Sequence, residues 1–275
     1  MPDGTAGSTA ECAVTFVGTA TTLLRLGPFR LLTDPNFVRR GQWVHVGHGI
    51  VTRRRTNPAM TIDELPELDA VLLSHLHGDH FDRVAARELD RALPIFTTPH
   101  AAGRLHKRGF AESVPMPRWS KWSTTKDGAR LTVTSLPARH ARGLVGVVAP
   151  PVMGTLLDYE RPGHRLRLYL SGDTVLHDDL HEIRDRCPDI DLAVMHLGGT
   201  RILGHLISMD GQEGADLLEL LRPLQALPVH HDDYGLFTSP LSEFQVEVAR
   251  RGIPGVEWVL PGMTLDLPLP ARKTV

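Results

Sequence analysis

Short apolar runs broken by glycine and proline fill the first thirty residues after a polar start. Residues 13–17, 22–26 and 29–32 are rich in β-formers and are separated by Gly18 and by Gly27-Pro28, a pattern of strands joined by tight turns. Residues 36–60 lose that rhythm. Aromatic, His, Gly and Arg residues mix there without a period, which predicts a long functional or mobile loop. From Asp69 onward, strand and helix signals interleave. Short apolar or alternating runs predict strands at 69–73, 94–97, 131–136, 154–159, 166–170, 191–195, 227–229, 257–260 and 264–267. Helical spacing appears at 82–91, with Asp82 placed as a cap, and at 101–108, 211–221 and 240–251. Hairpins followed by interleaved strands and helices predict sheets covered by helices on their outer faces.

No linker, repeat or low-complexity tract divides the chain. The expected organisation is a frayed tail at 1–11 and a single domain over 12–275. Hydrophobic residues make up 41% and charged residues 23%, ordinary for a water-soluble domain. The 30 basic and 32 acidic side chains nearly cancel, so the whole-chain field gives no footprint for nucleic acid or an anionic membrane. Arg53-Arg54-Arg55 is the single basic run. Cys12 and Cys187 have no CxxC spacing, which argues against a disulfide framework or zinc ribbon and fits a reducing compartment. The first residues lack a signal-peptide pattern and no apolar window is long enough to span a membrane, so a cytoplasmic location is expected.

One segment changes this bland picture. Ser74-His75-Leu76-His77-Gly78-Asp79-His80 follows the apolar run 70–73 and has the form H-x-H-x-D-H. Imidazole nitrogen and carboxylate oxygen are donors that zinc and related divalent metals accept. A strand continuing through Leu73 into His77 would put His75 and His77 on one face, able to grip one ion. Asp79 and His80, beyond the strand end, would point across the same pocket toward another. Further donors recur at predicted strand ends: His140, Asp173 in Ser171-Gly172-Asp173-Thr174, and His230-His231. Loops at one edge of a layered sheet are where such sites concentrate.

These residues carry a likeness to a known family. Asp34-Pro35, the 65–74 run into the motif, His140, Gly172-Asp173-Thr174, Pro228-Val229-His230 and Pro261-Gly262 resemble the metallo-β-lactamase superfamily. The likeness is strongest to the branch that includes N-acylphosphatidylethanolamine phospholipase D and ascorbate-6-phosphate lactonase. It implies an α/β (α+β) fold, a four-layer αββα sandwich with a dinuclear site at one edge. It also implies that His75, His77 and His140 hold one divalent ion. Asp79, His80 and His230 would hold the other, with Asp173 between them. The expected ions are two Zn2+, and the same donors accept Mn2+ or Fe. His231, next to His230 in a stretch that departs from the family pattern, competes for that role.

Two divalent ions about 3.5–4 Å apart can share a water and lower its pKa from about 15.7 toward 7. The nucleophile would then be a metal-bound hydroxide beside Asp79, acting on a phosphodiester, lactone or other ester in a small-molecule substrate. His205 is a candidate proton donor or substrate contact. Asp34, Asp232 and Asp233 are candidates to orient the imidazoles. His45, His48 and His196 are candidate site-lining groups, and Arg53 to Arg55 a candidate for binding a substrate oxyanion. Trp119 and Trp122 read equally as packing residues or a binding patch. Competing classes on the same scaffold are a di-iron redox protein, a metal-dependent nuclease and a degenerate binding module. Oligomeric state is not written in the sequence.

Overall fold

The computed structural model describes residues 10–47, 49–143, 146 and 149–271. Its first sheet contains β1 (Cys12–Gly18), β2 (Thr21–Leu26) and β3 (Phe29–Thr33), followed after a small separate hairpin of β4 (Trp43–His45) and β5 (Val51–Arg53) by β6 (Ala70–Leu72), β7 (Ile95–Thr97) and β8 (Ser113–Pro115). The second sheet contains β9 (Lys121–Lys126), β10 (Ala129–Pro137), β11 (Met153–Arg161), β12 (His164–Leu170) and β13 (Leu192–His196). A two-residue pair, β14 (Arg201–Ile202) and β15 (His205–Leu206), precedes β16 (Gln225–Val229), which joins the second sheet, and β17 (Thr264–Leu267), which returns to the first. The strand orders are β17-β1-β2-β3-β6-β7-β8 and β16-β13-β12-β11-β10-β9. Helices α1 (Arg83–Glu88) and α2 (Pro99–His106) follow β6 and β7, and α3 (Leu180–Arg186), α4 (Gly211–Leu221) and α5 (Leu241–Arg251) belong to the second half.

Strand alternation sorts the apolar residues into three layers of contact. Leu192 and Val194 of β13 face the core between the sheets, with Leu72 of β6 and Leu31 of β3 opposite. Their neighbours Ala193 and Met195 face outward onto Leu180, Leu217 and Phe244 of α3, α4 and α5. Val71 and Leu73 likewise face outward onto Ala85 and Leu105 of α1 and α2. Strands buried on both faces read as continuous apolar runs, which is why these segments were legible. The result is the expected αββα sandwich.

Register then aligns the strand ends. β3 and β6 are parallel, with Thr33 opposite Leu72, so Asp34 and Ser74 leave the first sheet side by side. β12, β13 and β16 are also parallel, with Leu170 opposite Val194 and His196 opposite Val229. Residues 171–173, His196 and His230 therefore emerge at one edge.

Several elements differ from the sequence reading. Residues 257–260 form no strand; Glu257 N–H donates to the Ala226 carbonyl beside an isolated bridge at Val256, and the chain passes the edge of β16 without pairing along it. Part of the aperiodic stretch 36–60 is ordered as the β4–β5 hairpin, with Trp43 opposite Arg53. Helix α3 and strands β8 and β9 had too little periodicity to stand out. Trp119 and Trp122 are packing residues: Trp119 donates to Glu182 at 3.0 Å and lies under Arg186, and Trp122 contacts Phe96 with ring centroids 4.6 Å apart.

Candidate metal centre

The motif leaves the sheet earlier than alternation requires. β6 ends at Leu72, so His75 and His77 are brought together by the turn that follows, not by sharing a strand face. His75 Nε2 and His77 Nδ1 approach to 2.8 Å. Asp82 closes the turn: its carboxylate accepts from Val84 and Ala85 at the start of α1 and from Phe37 and Val38 across the loop. Gly78 is required by a close approach, because a Cβ there would lie 2.6 Å from the His45 carbonyl oxygen of β4. Gly172 adopts φ +61°, and a Cβ on it would meet the Met153 carbonyl at 2.6 Å, so the backbone before Asp173 presses against β11.

Three sets of potential ligand atoms converge within 4.8 Å: His75, His77 and His140; Asp79, His80 and His230; and His75, His80 and Asp173. A fourth set, Asp34, His80 and His196, lies on the same imidazole, His80. His231 belongs to none of these sets; its Nδ1 pairs with Asp232 at 3.0 Å. His205 also stands outside them, exposed on the β14–β15 pair. His48 lies outside the described residues, as do residues 1–9 of the expected tail.

What holds the imidazoles is as informative as their convergence. His140 Nδ1 faces the Ile207 carbonyl at 3.4 Å, and His230 Nδ1 faces the Leu197 carbonyl at 3.1 Å. His75 Nδ1 meets Ser74 Oγ at 3.0 Å, and His80 Nδ1 lies 3.2 Å from Asp34 Oδ1. A carbonyl accepts only from N–H, so His140 and His230 carry a proton on Nδ1 and present Nε2 to the interior. His80 Nε2 and His230 Nε2 face each other at 3.1 Å. His140 Nε2, Asp79 Oδ1 and Asp173 Oδ1 are buried without a hydrogen-bond partner among the described residues. Buried polar atoms are rarely left unpaired, and inward lone pairs facing one another repel unless a cation lies between them. The N/O donor set fits borderline divalent metals.

The electrostatics agree. Burial keeps His75 neutral, well below the usual imidazole range, and pushes His77 down to about 3, with His140 adding to the latter shift. Neutral imidazole is the ligating form. Burial alone would also lower His80, but the Asp173 and Asp34 carboxylates outweigh it and raise its pKa well above normal. Burial would raise Asp34 and Asp173; the neighbouring imidazoles instead hold Asp34 at about 2 and Asp173 well below the carboxylate range. Three buried carboxylates, Asp34, Asp79 and Asp173, thus create a field that stabilises positive charge at this spot.

Of the groups around this centre, Asn36 and Tyr234 were missed in the sequence, whereas Asp34 and His196 were candidates there. Asp34, at φ +36°, accepts from Ser74 N and Oγ at 2.9 and 2.8 Å and lies 3.4 Å from His196 Nε2. Of the three candidate orienting carboxylates it is the one that reaches an imidazole of the centre. Asp232 pairs with His231, and Asp233 holds the Thr19 N–H at 2.7 Å. Asn36 donates to the Gly78 carbonyl at 2.9 Å and accepts from Arg54 and Tyr234, fixing the motif turn from behind. Arg54 is thereby a buried structural group, not a substrate contact, while Arg53 is tied to the Gly41 carbonyl at 2.8 Å. His196 is buried behind His80 rather than on the substrate side. His230 and Asp34 both sit at positive φ, an uncommon cost for non-glycine residues that often accompanies functional sites.

Replacing Asp34 by Asn, which keeps the shape and removes the charge behind His80, should weaken metal affinity by about 10- to 100-fold. Competition with a chromophoric chelator measures it; an unchanged affinity would show that Asp34 has no part in holding the centre. A second expectation concerns pH. Burial lowers His177 to about 4, and Arg139 adds to the shift. The unfolded chain, with an imidazole pKa of about 6.5, takes up a proton that the native state refuses. Stability should therefore fall as pH drops from about 6.5 toward 4, by at most about 3 kcal/mol from this residue. Denaturant titrations across that window should show a shallower loss for His177→Gln; an identical slope would refute the assignment.

Two facing sheets, outer helices and a buried His/Asp cluster at one edge define a metal-dependent hydrolase of the αββα class. Residues 29–231 match the beta-lactamase superfamily domain, and the chain belongs to the metallo-β-lactamase superfamily. It is 32% identical over 200 residues to a metal-dependent hydrolase of Deinococcus radiodurans, covering 72% of this chain and 80% of that one. It is 26% identical over 240 residues to N-acyl-phosphatidylethanolamine-hydrolyzing phospholipase D 1 of Caenorhabditis elegans, covering 82% and 65%. Among solved structures, a possible metal-dependent hydrolase from Veillonella parvula superposes with a TM-score of 0.78 at 21% identity, covering 94% of this chain and 100% of that one. That likeness shows the fold. Among the described residues no helix is long and apolar enough to cross a membrane.

Proposed function

We propose that this hydrolase works with two divalent metal ions and cleaves an ester-type bond, in a phosphodiester, lactone or other ester. His75, His77 and His140 would hold one ion, and Asp79, His80 and His230 the other, with Asp173 shared. Zinc suits the donors, and manganese or iron is compatible with them. The observation that carries this reading is the inward convergence of imidazole nitrogens whose outer nitrogens face carbonyl, hydroxyl or carboxylate oxygens. Bound there, the ions would supply Lewis acidity and lower the pKa of a water.

The chain's own groups would do the rest. Asp79, whose Oδ1 is buried without a hydrogen-bond partner among the described residues, would take a proton from the attacking water. Asp34 and the Ile207 and Leu197 carbonyls keep the imidazoles from turning. No Ser or Cys nucleophile is called for: burial raises the Cys12 thiol to about 11, and Cys187 is also buried and shifted upward. The phospholipase D named above acts on a phosphodiester, which supports placing that bond type first among the candidates.

The test is a hydrolysis panel on purified protein, with metal content measured on the same batch. It should span bis-p-nitrophenyl phosphate, a simple lactone, an acyl ester and a β-lactam. Turnover of at least one of the first three, abolished by chelation and restored by metal, is expected. Turnover that survives removal of metal would overturn the reading.

A further inference from the structure

Beside His77 lies a cavity of about 1060 Å3 with several basic groups in its walls. Four guanidinium groups, Arg83, Arg91, Arg104 and Arg108, line it together with His100 on α2. Its one carboxylate, Asp82, is buried and already accepts four backbone N–H groups. Helical spacing explains part of this concentration, since His100 and Arg104 are four residues apart on α2 and Arg108 follows four later.

The four arginines divide into two kinds. Arg83 donates to the Trp43 carbonyl at 2.6 Å, and Arg91 donates to the Arg108 and Ala86 carbonyls while stacking 4.2 Å over Phe110. These two are spent on structure. Arg104 and Arg108 are exposed and have no acceptor among the described residues. Several arginines elsewhere are matched by carboxylates: Arg118 with Asp179 and Glu182, Arg167 with Asp158, Arg251 with Asp216 and Glu247. Unmatched like charges sharing one concavity repel each other and focus a positive potential into it. The lining also includes Trp43 and Val51, apolar side chains 57% and 55% exposed on the β4–β5 hairpin.

We infer that this cavity is the substrate groove and that Arg104 and Arg108 receive a phosphate-type anion on the substrate, away from the bond that is cleaved. The inference rests on the hydrolase reading above and narrows it. The substrate is a small soluble molecule with an oxyanion at one end and an apolar body that lies along Trp43. Guanidinium forks match the planar and tetrahedral oxyanions that such groups present, and two of them hold an anion more firmly than one.

Phenylphosphonate tests this on the metal-loaded full chain, because its C–P bond is not cleaved and any contact it makes with metal is common to all variants. Titration calorimetry should show binding that weakens with salt and at least about a tenfold higher Kd in Arg104→Ala/Arg108→Ala. Arg104→Lys/Arg108→Lys, which keeps the charge, should recover much of the loss. Benzyl alcohol, the neutral control, should bind no more tightly to the native chain than to the alanine variant. Equal phenylphosphonate affinity in the native and alanine proteins would overturn the inference. So would cosedimentation with vesicles of phosphatidylcholine and phosphatidic acid without phenylphosphonate binding, which would reassign the face to a lipid surface. The readout is binding, so a chain that binds the anion and hydrolyses no ester would sink the hydrolase reading separately.

Discussion

Replacing His77 by alanine is expected to lower hydrolysis by well over about a hundredfold and to release much of the bound metal, with the fold retained. Loss of a partner that merely orients a ligand typically costs about 10- to 100-fold, so loss of an inward donor should exceed that range. His77 contributes Nδ1 at 2.8 Å from His75 Nε2 and belongs to none of the apolar clusters that hold the sheets and helices together. Unfolding midpoints should therefore move little once metal is removed from both proteins. Full activity in a metal-depleted His77→Ala chain would contradict the account.

Asp173 should matter in a different way. Its Oδ2 lies 3.3 Å from His80 Nε2 and its Oδ1 3.4 Å from His230 Nδ1, and it also shares a set with His75. Asp173→Ala removes negative charge from between the two groups of imidazoles. Two cations held close together repel, and a shared carboxylate offsets that repulsion. If the native chain binds two ions as proposed, the variant should bind one while keeping its fold, and hydrolysis should drop by about 100- to 1,000-fold, the scale of losing one charge-stabilising group. Metal analysis after gel filtration, with circular dichroism on the same sample, separates the two outcomes. Two equivalents retained in Asp173→Ala would refute the shared role.

The strands that run through the middle of the sandwich were legible because burial on both faces makes them uninterrupted apolar runs, as in 70–73 and 191–195. The motif residues were legible because His75, His77, Asp79 and His80 lie within six positions, so local spacing brings them together. How they meet was not. Alternation along a strand was expected to pair His75 with His77, yet β6 stops at Leu72 and the turn capped by Asp82 does the pairing. Contacts that depend on tertiary register left no local trace. Asp34 beside His196 and Arg54 with Asn36 and Tyr234 join residues 18 to 198 positions apart, and which of them would meet is not written in local spacing. The β4–β5 hairpin was hidden for another reason: it is short, and the exposed apolar Trp43 and Val51 and the buried Thr52 break the alternation that marks a half-buried strand. Residues 257–260 show the converse error, a β-rich run whose backbone finds no strand to pair along.

The arginine-lined cavity was also beyond the sequence, because its charges come from α1, α2 and the segments after them, and the chain as a whole is nearly neutral. Net charge reports the average field, whereas recognition depends on where the unmatched charges fall.

The most direct test of the central claim is a titration of chelator-stripped protein with Zn2+, following bound metal and hydrolysis of the best substrate from the panel together. The account predicts that binding saturates at two ions per chain and that full hydrolysis requires the second. Saturation at one ion with full hydrolysis, or hydrolysis with none bound, would contradict it.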